Sequence, residues 1–475
     1  MTAPRTLLII AAEFPPLKTI GRIRTVKFAE HLLAHGWKPV VITVEPSGLE
    51  PNFDASLLRE IADGVEVIRV PLRDYESDIA RLAKQLLGRG DTATAAPSAA
   101  PAPRSGPKSD PQQAQPTGGG GLMDKAHALV RHVFRHYIYI PDSYVFWTFA
   151  AARRAREVCA ERQVDAIYTT LPAFSSMFAG HRLRRQTGLP WIADYRDLWF
   201  GDVLREWLPR WRQRLELWLE RRLLRRADVI VTVSEQKTAY MRRLHPDLSA
   251  RWETLTNGFD VELYSGRARQ RPFDDTCIEF VYTGRLFKNR RGHAFAEALG
   301  RIARSDPALA ARGRVRIFGG VEPVIRQRYD DILARDGIGH LFAFEGDVPY
   351  QTAMQAQVDC DYLLLIVDTG ETSDGVIPGK LFEYVASGRP MFALCDPGAT
   401  PDIIQRANLG VVVGAEDVDA CERELRRVLA SPVPRAVEPD EAYLAQFDRR
   451  AITTRFAALL DEVTHRRSPA EGPSA

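Results

Sequence analysis

The sequence predicts an α/β protein built from two parallel-sheet domains. Apolar runs of strand length alternate with amphipathic helical stretches, and the alternation restarts after a polar connector. The chain's 475 residues, 45% of them hydrophobic, exceed what one compact core takes up and point to roughly two or three domains, with two the simplest reading.

Thr6 to Ala12 (TLLIIAA) is a short apolar run ending at Phe14-Pro15-Pro16, as expected of a buried parallel strand entering a loop. Arg24 to His35 follows with helical spacing of Val26, Phe28, Ala29, Leu32 and Leu33, Gly36 stops it, and Pro39 to Val44 makes the next strand. Residues 88–121, dense in Ala, Pro, Ser, Gln and Gly and closed by four glycines, bury too little apolar surface to offset ordering; they are expected to be a disordered insertion. Strands resume at Ala166 to Thr170, Trp191 to Asp194 and Val229 to Val233.

The polar stretch 258–275, opening on Gly258-Phe259-Asp260, reads as a connector between an amino-terminal domain over 1–257 and a carboxyl-terminal domain over 276–440. Strands of the latter are expected at Ile278 to Tyr282, Val315 to Phe318, Ala343 to Phe344, Tyr362 to Val367, Met391 to Leu394 and Gly410 to Val413. A final helix falls within 441–465, and 466–475 is a polar tail expected to be disordered.

Lysine plus arginine (64) nearly balances aspartate plus glutamate (61), so net charge makes no case for a nucleic-acid binder. The five cysteines, at 159, 277, 360, 395 and 421, lack paired or metal-ligand spacing, as in a reducing compartment. Leu7 to Ala12 is too short for a signal-peptide core, and no run approaches the roughly 20 apolar residues of a membrane span. A cytoplasmic protein is expected, with membrane contact limited to its surface.

The stretch Gly375 to Pro390 (GVIPGKLFEYVASGRP) carries the chemistry. The run Tyr362 to Val367 delivers the loop 368–379 to the carboxyl edge of a parallel sheet, where ligands gather. A helix starting near Gly379 points unpaired N–H groups and a positive dipole end at that loop; Gly379 permits close phosphate approach, and Lys380 adds a charge. Glu383, one turn on, suits two hydroxyls of a ribose. Helix punctuation with solvated Lys380 and Glu383 meets this pattern equally well. The decision comes from Gly284 to Gly292 (GRLFKNRRG) on the same edge, whose Arg285, Lys288 and Arg290 favour a diphosphate site.

With these residues on the page, the chain resembles the family 4 glycosyltransferases, retaining enzymes of the GT-B fold, and looks most like the branch that builds bacterial surface polysaccharides. The likeness rests on FPP with a following glycine (Phe14 to Gly21), ADYRDLW (Ala193 to Trp199), ADVIVTVSE (Ala227 to Glu235), TNGFD (Thr256 to Asp260), YTGR (Tyr282 to Arg285), EGDVP (Glu345 to Pro349) and PGKLFEYVASGRP (Pro378 to Pro390). It spans almost everything except the insertion. It implies two Rossmann-like domains facing across a cleft, the last helix packed back on the amino-terminal domain, a nucleotide-sugar donor held by the carboxyl-terminal domain, and a saccharide or lipid-linked saccharide acceptor entering from the other.

By the family pattern Arg285 and Arg290 hold the diphosphate with Lys380, while Glu383 takes the ribose hydroxyls. Gly284, Lys288, Gly379 and Leu381 line the donor, the Gly346 to Val348 backbone lies near the base, and Gly21 shapes the loop beneath the phosphates. Two departures stand out. The glutamate that many members carry eight residues before the one matching Glu383 is Gly375 here, leaving Asp374 or backbone amides to contact the sugar. The histidine that many place after the strand matching Trp191 to Asp194 is absent, and Arg196 stands between Asp194 and Asp197. Charge growing on the leaving diphosphate is then stabilised by arginines, lysine and a helix end, with no metal and no cofactor. A catalytically silent nucleotide-sugar-binding protein and a nucleotide-sugar epimerase are the competing readings. A dehydrogenase is disfavoured because no Gly-x-Gly-x-x-Gly follows Thr6 to Ala12.

Three further signals have plainer readings. Asp359-Cys360-Asp361 matches a metal-binding Asp-x-Asp but precedes its strand, at the wrong end for the site. His127, His132 and His136 include an i, i+4 pair without a nearby carboxylate, which suits a solvated or phosphate-facing role. Leu204 to Arg226 sets Trp207, Trp211, Leu215, Trp218 and Leu219 at roughly helical spacing among arginines; it suits either an anionic membrane surface or an apolar face packed on the sheet with solvated arginines.

Overall fold

The computed structural model describes residues 4–46, 52–72, 132–201, 205, 207–272, 274, 276–370, 372–432 and 437–465. The insertion 88–121, His127, Leu204 and the tail 466–475 lie outside them. The chain divides into two compact units. One comprises Met1–Thr232, Met241–Thr254 and Thr453–Ala475; the other comprises Val233–Tyr240 and Leu255–Ile452.

The first unit opens with β1 (Arg5–Ile10), α1 (Arg22–Leu32), β2 (Trp37–Glu45) and β3 (Glu66–Pro71). It continues with α2 (Val145–Glu161), β4 (Ala166–Leu171), α3 (Ser176–Thr187), β5 (Trp191–Tyr195), α4 (Arg210–Leu224) and β6 (Val229–Thr232). Helix α5 (Glu235–Leu244) follows, its residues up to Tyr240 counted with the second unit and those from Met241 with the first, and then β7 (Arg251–Thr254). The strands pair in parallel in the order β3-β2-β1-β4-β5-β6-β7. The central strands are buried on both faces, which is why they appear in sequence as unbroken apolar runs. Edge strands β3 and β7 are only half buried and carry no such run.

The second unit repeats the plan with β8 (Ile278–Thr283), α6 (His293–Ser305), β9 (Gly313–Phe318), α7 (Pro323–Asp336) and β10 (Phe342–Gly346). Next come α8 (Tyr350–Asp359), β11 (Tyr362–Ile366), α9 (Gly379–Ser387), β12 (Met391–Leu394), α10 (Ala399–Arg406), β13 (Gly410–Val413) and α11 (Val418–Ala430). Its parallel order is β10-β9-β8-β11-β12-β13. Two apolar layers enclose this sheet, one led by Phe280, Phe295 and Tyr329 and the other by Leu363, Leu365 and Tyr384.

In both sheets the strand order reverses between parallel neighbours, β1 and β4 in the first and β8 and β11 in the second. Loops leaving the carboxyl ends of such a pair splay to opposite faces and leave a crevice that a ligand can enter.

The last helix, α12 (Arg449–His465), joins the first unit from Thr453 onward. Phe456 packs against Phe28 and Tyr168, with ring centroids 4.8 and 5.2 Å apart, and Asp461 takes Arg5 at 2.5 Å and Trp37 Nε1 at 2.8 Å.

Within the first sheet Asp194 is fully buried and its carboxylate is saturated. Arg24 donates Nε and Nη2 at 2.9 and 2.8 Å, Tyr168 its hydroxyl at 2.6 Å and Thr170 its hydroxyl at 3.0 Å. Removing one partner of such a pair leaves an uncompensated buried charge. Arg24→Met is therefore expected to lower unfolding free energy by about 3–5 kcal/mol in chemical denaturation. Arg24→Met combined with Asp194→Leu should recover much of that loss, and equal losses for the single and double variants would refute the pairing account.

Candidate functional site

In the second unit β8 delivers Gly284 to Arg290 to the switch point, and β11 delivers Asp368. The two loops are tied together, Thr369 N–H donating to the Asn289 carbonyl at 2.8 Å. Helix α9 begins at Gly379, with Pro378 before it in extended conformation, so its first N–H groups and positive dipole end point to this edge.

Lys380 lies across Gly284. A β carbon at Gly284 would stand 2.0 Å from Lys380 Cε and 2.3 Å from Nζ, so the lysine end would have to shift, and the backbone there has φ +138°, a conformation that favours glycine. The ammonium nitrogen sits 5.6 Å from the centroid of the Tyr282 ring. Burial, with Arg290 beside it, pushes the Lys380 amine down to about 7, against smaller opposing pulls from Glu383 and Asp368.

Arg290 donates Nη2 to Asp368 at 2.8 Å and lies over the Phe287 ring, with Cζ 5.2 Å from its centroid. Burial opposes its charge, yet Asp368 and Tyr282 outweigh that, and its pKa lies above the ordinary guanidinium value. Two buried side-chain atoms of this pair, Arg290 Nε and Asp368 Oδ1, have no partner in the structure. Such atoms suit an incoming polar ligand.

Arg285 starts from the same turn but reaches the other way: its Nη2 is 3.7 Å from Glu322 and the side chain is 38% exposed. The carboxylate before α7 draws it there, while Tyr282 donates its hydroxyl to the Arg285 carbonyl at 2.9 Å. The Lys288 side chain is exposed, and its N–H donates to Glu322 at 3.3 Å. The structure therefore brings together Lys380, Arg290 and Gly284 and leaves Arg285 and Lys288 toward the rim.

Glu383, half-buried, lies beside the buried Gln357 and Tyr264 and the exposed Tyr350. Burial raises its pKa against the opposing effects of Lys380 and of bonds from Gln357 and Tyr350. Gln357 also donates to Thr283 Oγ1 at 2.8 Å and accepts from Tyr264. Leu381 is placed differently from a ligand contact: its side chain is fully buried in the apolar layer and its N–H donates to the Pro378 carbonyl. Gly346 has φ +69° with open space where a β carbon would be, and its carbonyl accepts from Gly319 at 2.6 Å. Val348 packs at the border of the apolar layer, and Asp374 is exposed.

The structure explains why Gly375 is no glutamate. Ser234 donates its hydroxyl to the Gly375 carbonyl at 2.8 Å, and a β carbon would meet Lys237 Cγ at 2.8 Å. The segment around Ser234 occupies the space a longer side chain needs.

In the first unit Arg196 pairs with Glu13 at 3.1 Å and Asp197 at 3.5 Å. The Arg196–Glu13 pair covers Gly21, with Arg196 Nη1 1.7 Å from where a β carbon would stand. Arg196, Gly21 and Glu13 thus meet beyond β1 and β5, directly above the Asp194 cluster.

Glu13, Tyr282, Gln357 and Asp368 were absent from the sequence-based set. Asp368 had one usable signal, an acid ending an apolar strand; the others are recognisable only by their partners. Asp359 and Asp361 are consumed at the opposite end of β11. Asp361 takes Arg269 at 2.7 Å and the Glu279 N–H at 2.9 Å, while Asp359 accepts the Gln270 N–H at 2.6 Å. His132 and His136 stack at 4.1 Å.

Residues 78–258 match the model of a glycosyl transferase 4-like domain. A search of curated protein sequences finds no match. Among solved structures, sucrose-phosphate synthase from Thermosynechococcus elongatus is similar over 97% of this chain and 100% of its own, at 16% identity and TM-score 0.58. HepE from Anabaena, in complex with UDP, is similar over 96% and 100%, at 13% identity and TM-score 0.55. OtsA in its apo form is similar over 96% and 99%, at 12% identity and TM-score 0.61. These likenesses show the fold: two Rossmann-like parallel-sheet domains of the GT-B type.

The lowered Lys380 amine sets an expectation for how any anion bound beside it depends on pH. Its pKa is lowered in the folded chain, so the amine is largely neutral between about 7 and its ordinary 10.5, and an arriving diphosphate favours the charged form. In that window, above the range where phosphate itself titrates near about 6, nucleoside diphosphate binding should take up a proton and weaken as pH rises. Calorimetry in buffers of different ionisation enthalpy measures this. Proton uptake persisting in Lys380→Met would refute the assignment.

Proposed function

We propose that the protein is a retaining glycosyltransferase that moves a sugar from a nucleotide-sugar donor to a saccharide or lipid-linked saccharide acceptor in cell-surface polysaccharide biosynthesis. It works in the cytoplasm at the inner face of the plasma membrane, without metal or cofactor. The observation that carries this reading is Lys380 lying over Gly284 with Arg290 beside it, at the switch point of the second sheet and the start of α9. The matched transferase-like model over residues 78–258 and the UDP complex of HepE support it.

As the bond from the sugar to phosphate breaks, its electron pair leaves with the diphosphate. Lys380, Arg290 and the N–H groups opening α9 offset that charge where burial makes each interaction stronger than in water. The acceptor oxygen forms the new bond on the same face, and its proton passes to the departing phosphate. Glu383 takes the ribose hydroxyls, and the Gly346 to Val348 backbone borders the base. Asp374 or nearby amides face the sugar in place of a glutamate at 375.

The test is a screen of nucleotide sugars for binding, hydrolysis and transfer. Arg290→Ala should lower diphosphate affinity and turnover together, the latter by about 10²–10³-fold. Glu383→Ala should chiefly weaken nucleoside recognition, by roughly tenfold. Unchanged kinetics in both variants would remove the site. The closing of position 375 by Ser234 and Lys237 favours one second reading, a silent nucleotide-sugar-binding protein; tight binding without hydrolysis or transfer for any donor would select it.

A further inference from the structure

Helix α4 turns its glutamates inward and its tryptophans outward. Its buried positions are Arg212, Glu216, Glu220, Leu223 and Leu224, so both of its glutamates face inward. Glu216 accepts from Trp199 Nε1 at 2.8 Å and from Arg212 Nε at 2.7 Å, and Glu220 lies 3.2 Å from His245 Nε2. Every exposed residue of the helix is tryptophan or arginine: Arg210, Trp211, Arg214, Trp218, Arg221 and Arg222. Trp211 and Trp218 are 45% and 55% exposed. The sequence-based alternative, an apolar face packed inward with solvated arginines, holds for the buried Leu223 and Leu224 and the exposed Arg210, Arg214, Arg221 and Arg222, but Trp211 and Trp218 face outward, and Arg212 and the glutamates take inward positions because they satisfy one another and the surrounding polar groups.

A second segment extends the same surface. The buried Arg212 guanidinium donates to the carbonyls of Arg135, His136, Tyr139 and Pro141, and so lays this stretch along α4. Tyr137, 58% exposed, stacks on Trp211 with centroids 5.7 Å apart and planes 15° apart, and the Arg135 guanidinium lies 4.4 Å over the Trp207 ring. Arg221 is paired with Asp247 at 2.7 Å; Arg214 and Arg222 stand exposed, the latter 5.7 Å from the Trp218 ring.

Tryptophan and tyrosine rings have an apolar body and a polar edge, and they settle at the headgroup level of a bilayer. Exposed arginines beside them, with no carboxylate among the exposed residues of the helix, complement anionic headgroups. We propose that the Trp211, Trp218 and Tyr137 face, with Arg214 and Arg222, is a docking surface for an anionic phospholipid bilayer. Water-soluble faces usually bury their aromatics and mix both signs of charge; here the outward face carries tryptophan and arginine with the glutamates turned inward, and a bilayer interface satisfies both exposed residue types at once. This inference goes beyond the donor reading and does not need it.

The experiment is co-sedimentation of the full chain with phosphatidylcholine vesicles, with and without phosphatidylglycerol. The protein should sediment with the anionic vesicles, weakly or not with the neutral ones, and less as salt rises. Trp211→Ala with Trp218→Ala should weaken binding on the order of tenfold. Arg214→Gln and Arg222→Gln should each weaken it roughly fivefold. Nucleoside diphosphate binding should remain as in the unsubstituted chain, which separates loss of this surface from loss of fold or donor site. Absence of binding to anionic vesicles, or equal binding by the double tryptophan variant, overturns the proposal. So does a lipid-independent dimer that the same variant dissolves, since that would make a second copy the occupant.

Discussion

A lysine lying across a glycine at the head of β8 is the contact on which the candidate donor site depends. The missing β carbon at position 284 leaves the space that the end of the Lys380 side chain occupies, beside Arg290. Two cations are then held close together in a poorly solvated crevice, with Asp368 paired to one of them. Burial and the neighbouring Arg290 disfavour the charged form of Lys380, and an anion joining the two side chains would offset both effects. The buried layer of Gln357, Tyr264 and Tyr384 beneath Thr283 holds this part of the sheet edge in position.

The first unit uses a different means to the same end. Asp194 is buried and saturated by Arg24, Tyr168 and Thr170, and this fixes the end of β5. From that anchored strand the chain emerges at Arg196, which turns to Glu13 over Gly21. A buried charged cluster thus anchors the strand from which a largely covered charged pair emerges.

Helix α4 shows how the same physics misleads a one-dimensional reading. Helical spacing of tryptophan and leucine ordinarily marks the inward face. Here Arg212 spends its donors on four backbone carbonyls and Glu216, and Glu216 accepts an indole N–H. A polar group whose bonds are all met can be buried, and the large rings are then left outside.

The sequence by itself determined the α/β class, the central strands and the start of α9, because strands buried on both faces must be continuous apolar runs and because Pro378-Gly379 cannot sit inside a helix. It also pointed to Arg290, Lys380 and Glu383 as chemistry at strand ends. Only tertiary structure decided the edge strands Glu66–Pro71 and Arg251–Thr254, whose half-buried sides carry no diagnostic run. Only it separated Arg290, paired with Asp368, from Arg285, turned toward Glu322, since identical side chains differ there solely in the partner that packing offers. It likewise decided that Leu381 belongs to the core and that the tryptophans of α4 face outward. Periodicity records which residues share a face, whereas which face is buried is a balance of hydrogen bonds and packing among residues far apart in the chain.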